Sequence, residues 1–315
     1  MVTSFRSVKA SIKLRARHLI DIMVNMPDHP AKSRRPSFRF SLRFLLLLIA
    51  AIAIPLGWKM NRVHNQRLVL AMVKELNGEV LFDFQVTPPP WNESSGPRWL
   101  KNLVGDDIFT NVHSVTIENS SATDDTLASI VTLPHLEHVR ILSDGVSDAG
   151  LLHLARAKDL TALEIGSKKL TAASFATLTG LKRLNKLSLG LWEPQITDAG
   201  LLHISELAHL EMLTIDAFNI SSESLARIAK LPKLRILQVD SCFISDSDLE
   251  CLAAARELMA LTLINANVTD SGLTHLEKMT KLSMVDLRGT KVTAQGESGL
   301  RQALPRCYVN GSKQP

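Results

Sequence analysis

The 315-residue sequence contains few cysteines and few aromatic residues. Its three cysteines, Cys242, Cys251 and Cys307, are too few and too unevenly spaced for the disulfide framework of a small secreted domain. One Tyr and four Trp offer little surface on which nucleic-acid bases could stack. We therefore expect neither a disulfide scaffold nor a nucleic-acid partner.

The sequence also lacks the short motifs of common catalytic and metal sites. It has no Gly-rich phosphate loop, no GxSxG elbow, no HExxH and no CxxC pair. His153, His203 and His275 recur two and three repeats apart, which is too far for them to share one ion. Asp216 and Asp240 could perform acid/base chemistry or hold a cation, but the sequence shows no third ligand or catalytic partner. We predict no enzyme activity, no cofactor and no metal.

Basic residues are concentrated at the N-terminus, although the whole chain has a net charge of +5. Residues 1–43 contain ten Lys and Arg against two Asp, a local charge of +8, which leaves residues 44–315 at −3. A basic tail of this kind does not indicate a basic face on the rest of the chain. This distribution argues further against nucleic-acid binding by the main body.

One uncharged apolar run follows the basic tail. Residues 44–58 read FLLLLIAAIAIPLGW, and a membrane-spanning helix needs about 20 apolar residues, a length reached if Phe40–Leu42 join the run and Arg43 extends to the headgroups. Lys and Arg are more frequent before the run than after it, which favours a cytoplasmic N-terminus. We predict a cytoplasmic tail (1–43) and a transmembrane signal anchor (44–58), which place the remaining residues outside the cytoplasm.

Two other interpretations of the apolar run remain open. Ala51 and Ala53 resemble the small residues of a signal-peptide cleavage site after a basic region. The run could instead be a buried core helix, which would require the flanking arginines to be buried as well. The start of the chain is also open, because Met23 or Met26 could be the true first residue.

Residues 59–111 are predicted to connect the anchor to the repeats. Alternation of polar and apolar residues predicts a juxtamembrane helix over Asn61–Leu76, ending at Asn77-Gly78. Residues Glu79–Gln85 are predicted to form a strand. A repeat array needs a cover for its first unit. The predicted cover consists of Trp91, Trp99, Leu100, Val104 and Phe109.

The rest of the chain has a 24-residue period. Strand-like segments begin at Val112, Leu136, Leu160, Leu184, Leu210, Leu234, Leu258 and Leu282. Only the step from Leu184 to Leu210 differs, because two extra residues lie within 191–195. A fixed period of 20–29 residues with an LxxLxL core predicts stacked units that bury one continuous core.

A Ser or Thr stands at the same position in all eight units. These residues are Thr123, Ser147, Thr171, Thr197, Ser221, Ser245, Thr269 and Thr293. We interpret each as the N-cap of a helix, whose hydroxyl accepts a backbone N–H that has no helical partner. Asp follows in five units (Asp124, Asp148, Asp198, Asp246 and Asp270), where it favours the positive end of the helix dipole.

The tracts ITDAGLLHISELAHLEMLTI (196–215) and VTDSGLTHLEKMTKLSMVDLRGTKVT (268–293) resemble leucine-rich repeats of the cysteine-containing subtype. That subtype occurs in F-box substrate adaptors and in bacterial membrane-anchored proteins. The resemblance covers about 112–309, leaving 310–315 as a tail. It implies an α/β solenoid with a parallel β-sheet on the concave side and helices on the convex side. The subtype's Cys or Asn after the strand is present only as Cys242, and no F-box-like segment precedes the repeats.

The outward strand positions are the predicted partner site. Met212, Ile236, Ala260 and Met284 form an apolar stripe, which is the arrangement expected of a protein or peptide contact. The polar residues beside it in the predicted site are Thr214, Gln238, Asp216 and Asp240. We predict a membrane-anchored interaction module. The alternatives are a structural envelope spacer, an enzyme that uses the two aspartates, and a cytosolic adaptor if the apolar run does not span.

Overall fold

The computed structural model describes residues 42–86, 101, 109–190, 197–216, 220–240 and 244–311. Ten strands form one sheet in which each strand lies beside the next one in the chain. They are β1 (Glu79–Phe82), β2 (Val112–Ile117), β3 (His138–Leu142), β4 (Ala162–Gly166), β5 (Lys186–Leu189), β6 (Met212–Asp216), β7 (Ile236–Asp240), β8 (Ala260–Ile264), β9 (Met284–Asp286) and β10 (Tyr308–Asn310).

Helical segments connect most of these strands. They are α1 (Leu42–Glu75), α2 (Asp83–Val86), α3 (Asp124–Ile130), α4 (Asp148–Leu154), α5 (Asp198–Ile204), α6 (Ser222–Ile228), α7 (Asp246–Leu252), α8 (Asp270–Leu276) and α9 (Ala294–Ala303). In the third repeat the connection is a 3₁₀ helix, Ala172–Gly180, where the pattern had predicted an ordinary helix. The two extra residues of the next loop fall within 191–196, outside the described residues.

The register of the strands follows the 24-residue period. From β2 to β10 all neighbours are parallel, and most partners are one repeat period apart, as Ile236 and Ala260 are. The step from β5 to β6 pairs Lys186 with Met212, so the insertion leaves the register unchanged. The parallel sheet predicted for the repeats is confirmed, and β1, which precedes the repeats, adds one strand antiparallel to β2.

One continuous core fills the space between the sheet and the helices. In β7, Leu237 and Val239 are buried and alternate with outward residues, as a strand with one covered face requires. Leu249 and Leu252 of α7 bury the same core from the helix side. Equivalent residues of the other repeats belong to the same cluster, so no unit buries its apolar face alone.

The first repeat is covered by the C-terminal part of α1. Val69 and Val73 are buried in the repeat core, and Gln66 Nε2 donates to the carbonyl of Thr110 at 3.5 Å. The helix ends where Asn119 Nδ2 donates to the carbonyl of Leu76 at 3.1 Å. Of the predicted cover, only Phe109 is described, and it is half-buried. Trp91, Trp99, Leu100 and Val104 lie outside the described residues.

The chain divides into two units at Val63, and the described part of the first is the N-terminal stretch of α1. Leu47, Leu48, Ile49, Ile54 and Trp58 are all exposed there. The helix is long and apolar enough to cross a membrane.

The predicted strand Glu79–Gln85 is wrong at its end. The strand stops at Phe82, and Asp83–Val86 forms one helical turn. Gln85 Oε1 accepts the N–H of Phe82 at 2.8 Å, and Asp83 accepts from Asn111 Nδ2 at 3.0 Å. These side-chain hydrogen bonds replace the backbone hydrogen bonds that a longer strand would make with its neighbour in the sheet.

All eight predicted Ser and Thr residues occupy helix N-cap positions. The predicted hydrogen bond from a backbone N–H to the hydroxyl is present at Ser147, Ser221, Thr269 and Thr293 but not at Thr171 or Thr197. The Asp that follows them has a role that the helix dipole does not explain. Asp124 accepts both the backbone N–H of Ser147 (2.8 Å) and its hydroxyl (2.6 Å), and thereby joins the first repeat to the second. The same pair of bonds joins Asp148 to Thr171, Asp246 to Thr269 and Asp270 to Thr293.

The neighbouring repeat is shaped to receive this carboxylate. A side chain at Gly150 would place its Cβ 2.6 Å from Asp124 Oδ1, and one at Gly272 would place it 2.4 Å from Asp246 Oδ1. Ser224 stands at the position of this glycine in its repeat, and its hydroxyl donates a hydrogen bond to Asp198 Oδ1 at 2.6 Å. The aspartates therefore form a ladder of carboxylates between repeats.

Two junctions depart from the ladder. Between the fifth and sixth repeats the partners are exchanged, because Ser222 donates to Asp248 of the following repeat at 2.5 Å. Between the third and fourth repeats neither Ala172 nor Gly200 can supply a carboxylate. There the ring of Phe175 lies beside Gly200, about where the carboxylate lies at other junctions.

The ladder predicts that the protein loses stability in acid. Hydrogen bonds from Ser224 and Ser221 lower the pKa of Asp198, and those from Thr293 lower the pKa of Asp270. A carboxyl whose pKa is lowered on folding stabilises the fold fully above its unfolded pKa of about 3.9 and loses that contribution as pH falls through the folded pKa.

We expect urea midpoints to change little from these groups between about pH 7 and 5 and to fall below about pH 4. The Asp198→Asn variant should show a shallower decline in acid than the unmodified protein. An unchanged acid slope in that variant would contradict the assignment.

Candidate functional site

The sheet face that points away from the helices, here called the open face, carries the predicted partner residues. Met212, Ile236, Ala260 and Met284 are direct register partners on β6 to β9. Tyr308 of β10 pairs with Met284 and extends the row to five strands. We call these five residues the apolar row.

Three of the five residues of the apolar row are exposed to solvent, whereas Met212 and Ala260 are half-buried. The exposed fractions are 38% for Ile236, 39% for Met284 and 67% for Tyr308. Met259, which precedes the row on β8, is also exposed. Sequence reasoning missed Met259 and Tyr308, although Tyr308 lies one repeat period after Met284 and pairs with it.

A polar row borders the apolar row two residues further along each strand. Its members are Thr214, Gln238, Thr262, Asp286 and Asn310. Asp286 is buried and accepts from Arg288 Nε (3.0 Å) and Asn310 Nδ2 (3.1 Å). Desolvation raises the pKa of Asp286, but the hydrogen bonds outweigh it and the pKa is lowered. Asp286 therefore remains charged and is neutralised by its own neighbour.

Asp216 and Asp240 stand at the ends of β6 and β7 as register partners. Asp240 Oδ1 accepts from Asn265 Nδ2 at 3.1 Å. The described residues contain no group of three His, Cys, Asp or Glu side chains that could hold a metal ion. Asp240 thus gives the polar row an acidic edge, with Asp216 at the register position beside it.

The first half of the open face is charged. Arg140 lies between Glu118 (2.8 Å) and Glu164 (2.6 Å). The rings of His113 and His138 pack edge to face with centroids 4.6 Å apart. Burial lowers the pKa of His138, and the nearby charge of His113 lowers it further. The open face therefore changes from charged to apolar between β5 and β6.

The other predicted histidines and the cysteines form no common site within the described residues. His153, His203 and His275 are half-buried at equivalent helix positions in three separate repeats. Cys251 is half-buried, and burial raises the pKa of the Cys307 thiol. Cys242 lies outside the described residues.

Comparison with known proteins gives matches at the level of structure. No protein-family model matches the chain, and no curated protein is similar in sequence. A chain of the yeast Rad7–Elc1 complex matches with a TM-score of 0.54 and 15% identity, over 86% of this chain and 73% of that one. Internalin C2 of Listeria monocytogenes matches at 0.48 and 18%, over 64% and 81%. A leucine-rich-repeat protein of Leptospira interrogans matches at 0.36 and 15%, over 61% and 58%.

The chain has the leucine-rich-repeat fold. At 15% identity the match to the chain of the Rad7–Elc1 complex establishes the fold alone. In a leucine-rich-repeat protein the LxxLxL positions face the core, whereas the outward positions are not fixed by the fold. This chain illustrates the difference, because the row that is apolar on β6 to β10 carries Ser114, His138, Ala162 and Lys186 on β2 to β5. The fold does not require the apolar row.

Proposed function

We propose that this leucine-rich-repeat protein is a membrane-anchored interaction module that binds a protein partner through the open face of β6 to β10. The observation that carries the proposal is the apolar row beside a polar row, with Ile236, Met284 and Tyr308 of the apolar row exposed. Apolar side chains of this size are normally covered, and a contiguous exposed group with a polar border is characteristic of a protein contact. The predicted contact residues are Met212, Ile236, Met284, Thr214, Gln238, Asp216 and Asp240.

The membrane anchor is supported by the exposed apolar surface of α1. Leu47, Ile54 and Trp58 are exposed in the described structure, and lipid is the environment that would cover them. The excess of Lys and Arg before the apolar run favours an N-terminus in the cytoplasm and repeats outside it. Alkaline extraction of membranes, followed by protease treatment of intact and opened cells, tests both parts. Release by alkali would rule out the anchor, and a C-terminus protected on the cytoplasmic side would reverse the orientation.

An envelope spacer is the alternative that the fold allows. A spacer needs stable repeats but has no use for exposed Ile236, Met284 and Tyr308, which cost solubility. The open face therefore favours binding.

Ala260→Arg is expected to weaken partner binding by at least about ten-fold, because a charge in the middle of an apolar contact is desolvated without a partner. Ala162→Arg is the matched control, since Ala162 has the same row position on β4 in the charged half. Both substitutions point away from the core and should leave the circular dichroism spectrum unchanged.

The measurement is partner capture by the full chain in membranes, with a photo-reactive residue in place of Ile236. A partner that crosslinks equally to the unmodified chain and to Ala260→Arg would contradict the proposed function.

A further inference from the structure

Resting on this proposed function, we infer that the partner presents an amphipathic α-helix with a basic flank, which lies across the strands along the apolar row. The three supports are the spacing of the row, the small residue at its centre and the acidic edge beside it.

The spacing of the row matches a helix better than an extended peptide. Neighbouring strands are about 4.8 Å apart, so the row presents one apolar position every 4.8 Å over roughly 19 Å. A helix advances about 5.4 Å per turn and can offer one apolar side chain to each strand. An extended peptide offers one only every 6.6 Å or so and falls out of step by about 1.8 Å at each strand.

Ala260 forms the low point of the row. Its neighbours are Ile236 and Met284, whose larger side chains rise on either side. A large apolar side chain of the partner can seat between them, in the way that knobs enter holes where helices pack. An outward Ala between two exposed large residues therefore favours a partner with a projecting Leu, Met or Phe.

The charge of the flank follows from the acidic edge. A helix is about 10–12 Å wide and would cover both the apolar and the polar row, so that its side reaches the ends of the strands. At those ends Asp240 is bonded to an amide, Asn265, whereas Glu164 and Asp286 each have an arginine partner. Asp216 stands beside Asp240 in register. Lys or Arg on that side of the helix would complement the carboxylate of Asp240.

The test uses three synthetic peptides of about 18 residues, long enough as helices to span the row. One has a Leu stripe at helical spacing with Lys on its flank, the second has Glu in place of Lys, and the third is the Lys peptide with a central Pro. Binding to the full chain in zwitterionic lipid nanodiscs is measured by fluorescence anisotropy, with empty nanodiscs and Ala260→Arg as blanks.

We expect the Lys peptide to bind at least about ten-fold more tightly than the Glu peptide. The Pro peptide should bind at least about ten-fold more weakly than the Lys peptide, because Pro breaks the helix. Asp240→Lys should remove or invert the Lys–Glu preference. Asp125→Lys, which makes the same charge change on the exposed helix side, should leave it intact.

Failure of this inference can be distinguished from failure of the proposed function. If crosslinking from Ile236 captures a partner that Ala260→Arg excludes, but the Pro peptide binds as well as the Lys peptide, the contact is real and its helical nature is wrong. If the Lys and Glu peptides bind equally, the basic flank is wrong. If Ala260→Arg changes neither peptide binding nor capture, both proposals fail together.

Discussion

Asp124→Ala is expected to lower the free energy of unfolding by about 2 kcal/mol, whereas Asp125→Ala should cost about 0.5 kcal/mol. The two aspartates are adjacent in the first turn of α3 and contribute similarly to the helix dipole. Only Asp124 reaches the next repeat, where it accepts the backbone N–H and the hydroxyl of Ser147. Hydrogen bonds to a charged acceptor contribute more than neutral ones, and their loss leaves the Ser147 N–H without its partner.

The measurement is urea unfolding of the full chain in nanodiscs, followed by far-ultraviolet circular dichroism. Because each repeat contacts only its neighbours, the lower stability of Asp124→Ala should appear as a separate transition of the first repeat and α1 at lower urea concentration. Ser147→Ala, which keeps the N–H but removes the hydroxyl, should lie between the two aspartate variants. Equal effects of Asp124→Ala and Asp125→Ala would mean that the carboxylates act through the helix dipole alone.

The repeat architecture was predictable because it depends on local periodicity. The 24-residue period fixed the register of Ile236 against Ala260, and the Ser and Thr positions fixed the helix starts. Both patterns recur in every repeat, so they remain recognisable even though one repeat contains the irregular 3₁₀ segment Ala172–Gly180. The rows of the open face followed directly from the register.

The carboxylate ladder was not predicted, because its partners are almost one full period apart and belong to different repeats. An Asp in a first turn is accounted for by the helix dipole alone, so nothing within one repeat demands a second explanation. The exchange of Ser222 and Asp248 was the available signal. Ser222 replaces Asp at the first position of α6, and an Asp, Asp248, is found at the third position of the next helix, α7.

The packing of α1 against the first repeat was also not predicted. The aromatic residues of 91–109 looked like the natural cover, whereas α1 has buried positions that are only valines and one glutamine, Gln66. The predicted helix over 61–76 was correct, but its packing partner could not be read from its own sequence. The helix α1 is continuous from the apolar run to Glu75, so no break in it marks where packing against the first repeat begins.

Val73→Asp is expected to cost at least about 4 kcal/mol, which should be enough to detach α1 from the first repeat. Val73 is 1% exposed, lies in the same cluster as Val115 and Ile117, and has no group of opposite charge among the described residues of that cluster. A carboxylate there must either remain desolvated or force the helix away. Detachment would expose the apolar edge of the first repeat, which a repeat array cannot tolerate without a cover.

Ala71→Asp is the matched control, because Ala71 is exposed on the same helix two residues away and the change introduces the same charge. We expect it to remain within about 0.5 kcal/mol of the unmodified protein. Limited proteolysis gives the second measurement, since cleavage should begin within α1 and the first repeat in Val73→Asp and spare the repeats from β6 onward. If Val73→Asp unfolds at the same urea concentration as Ala71→Asp, α1 is not the cover, and that role would return to the aromatic residues of 91–109.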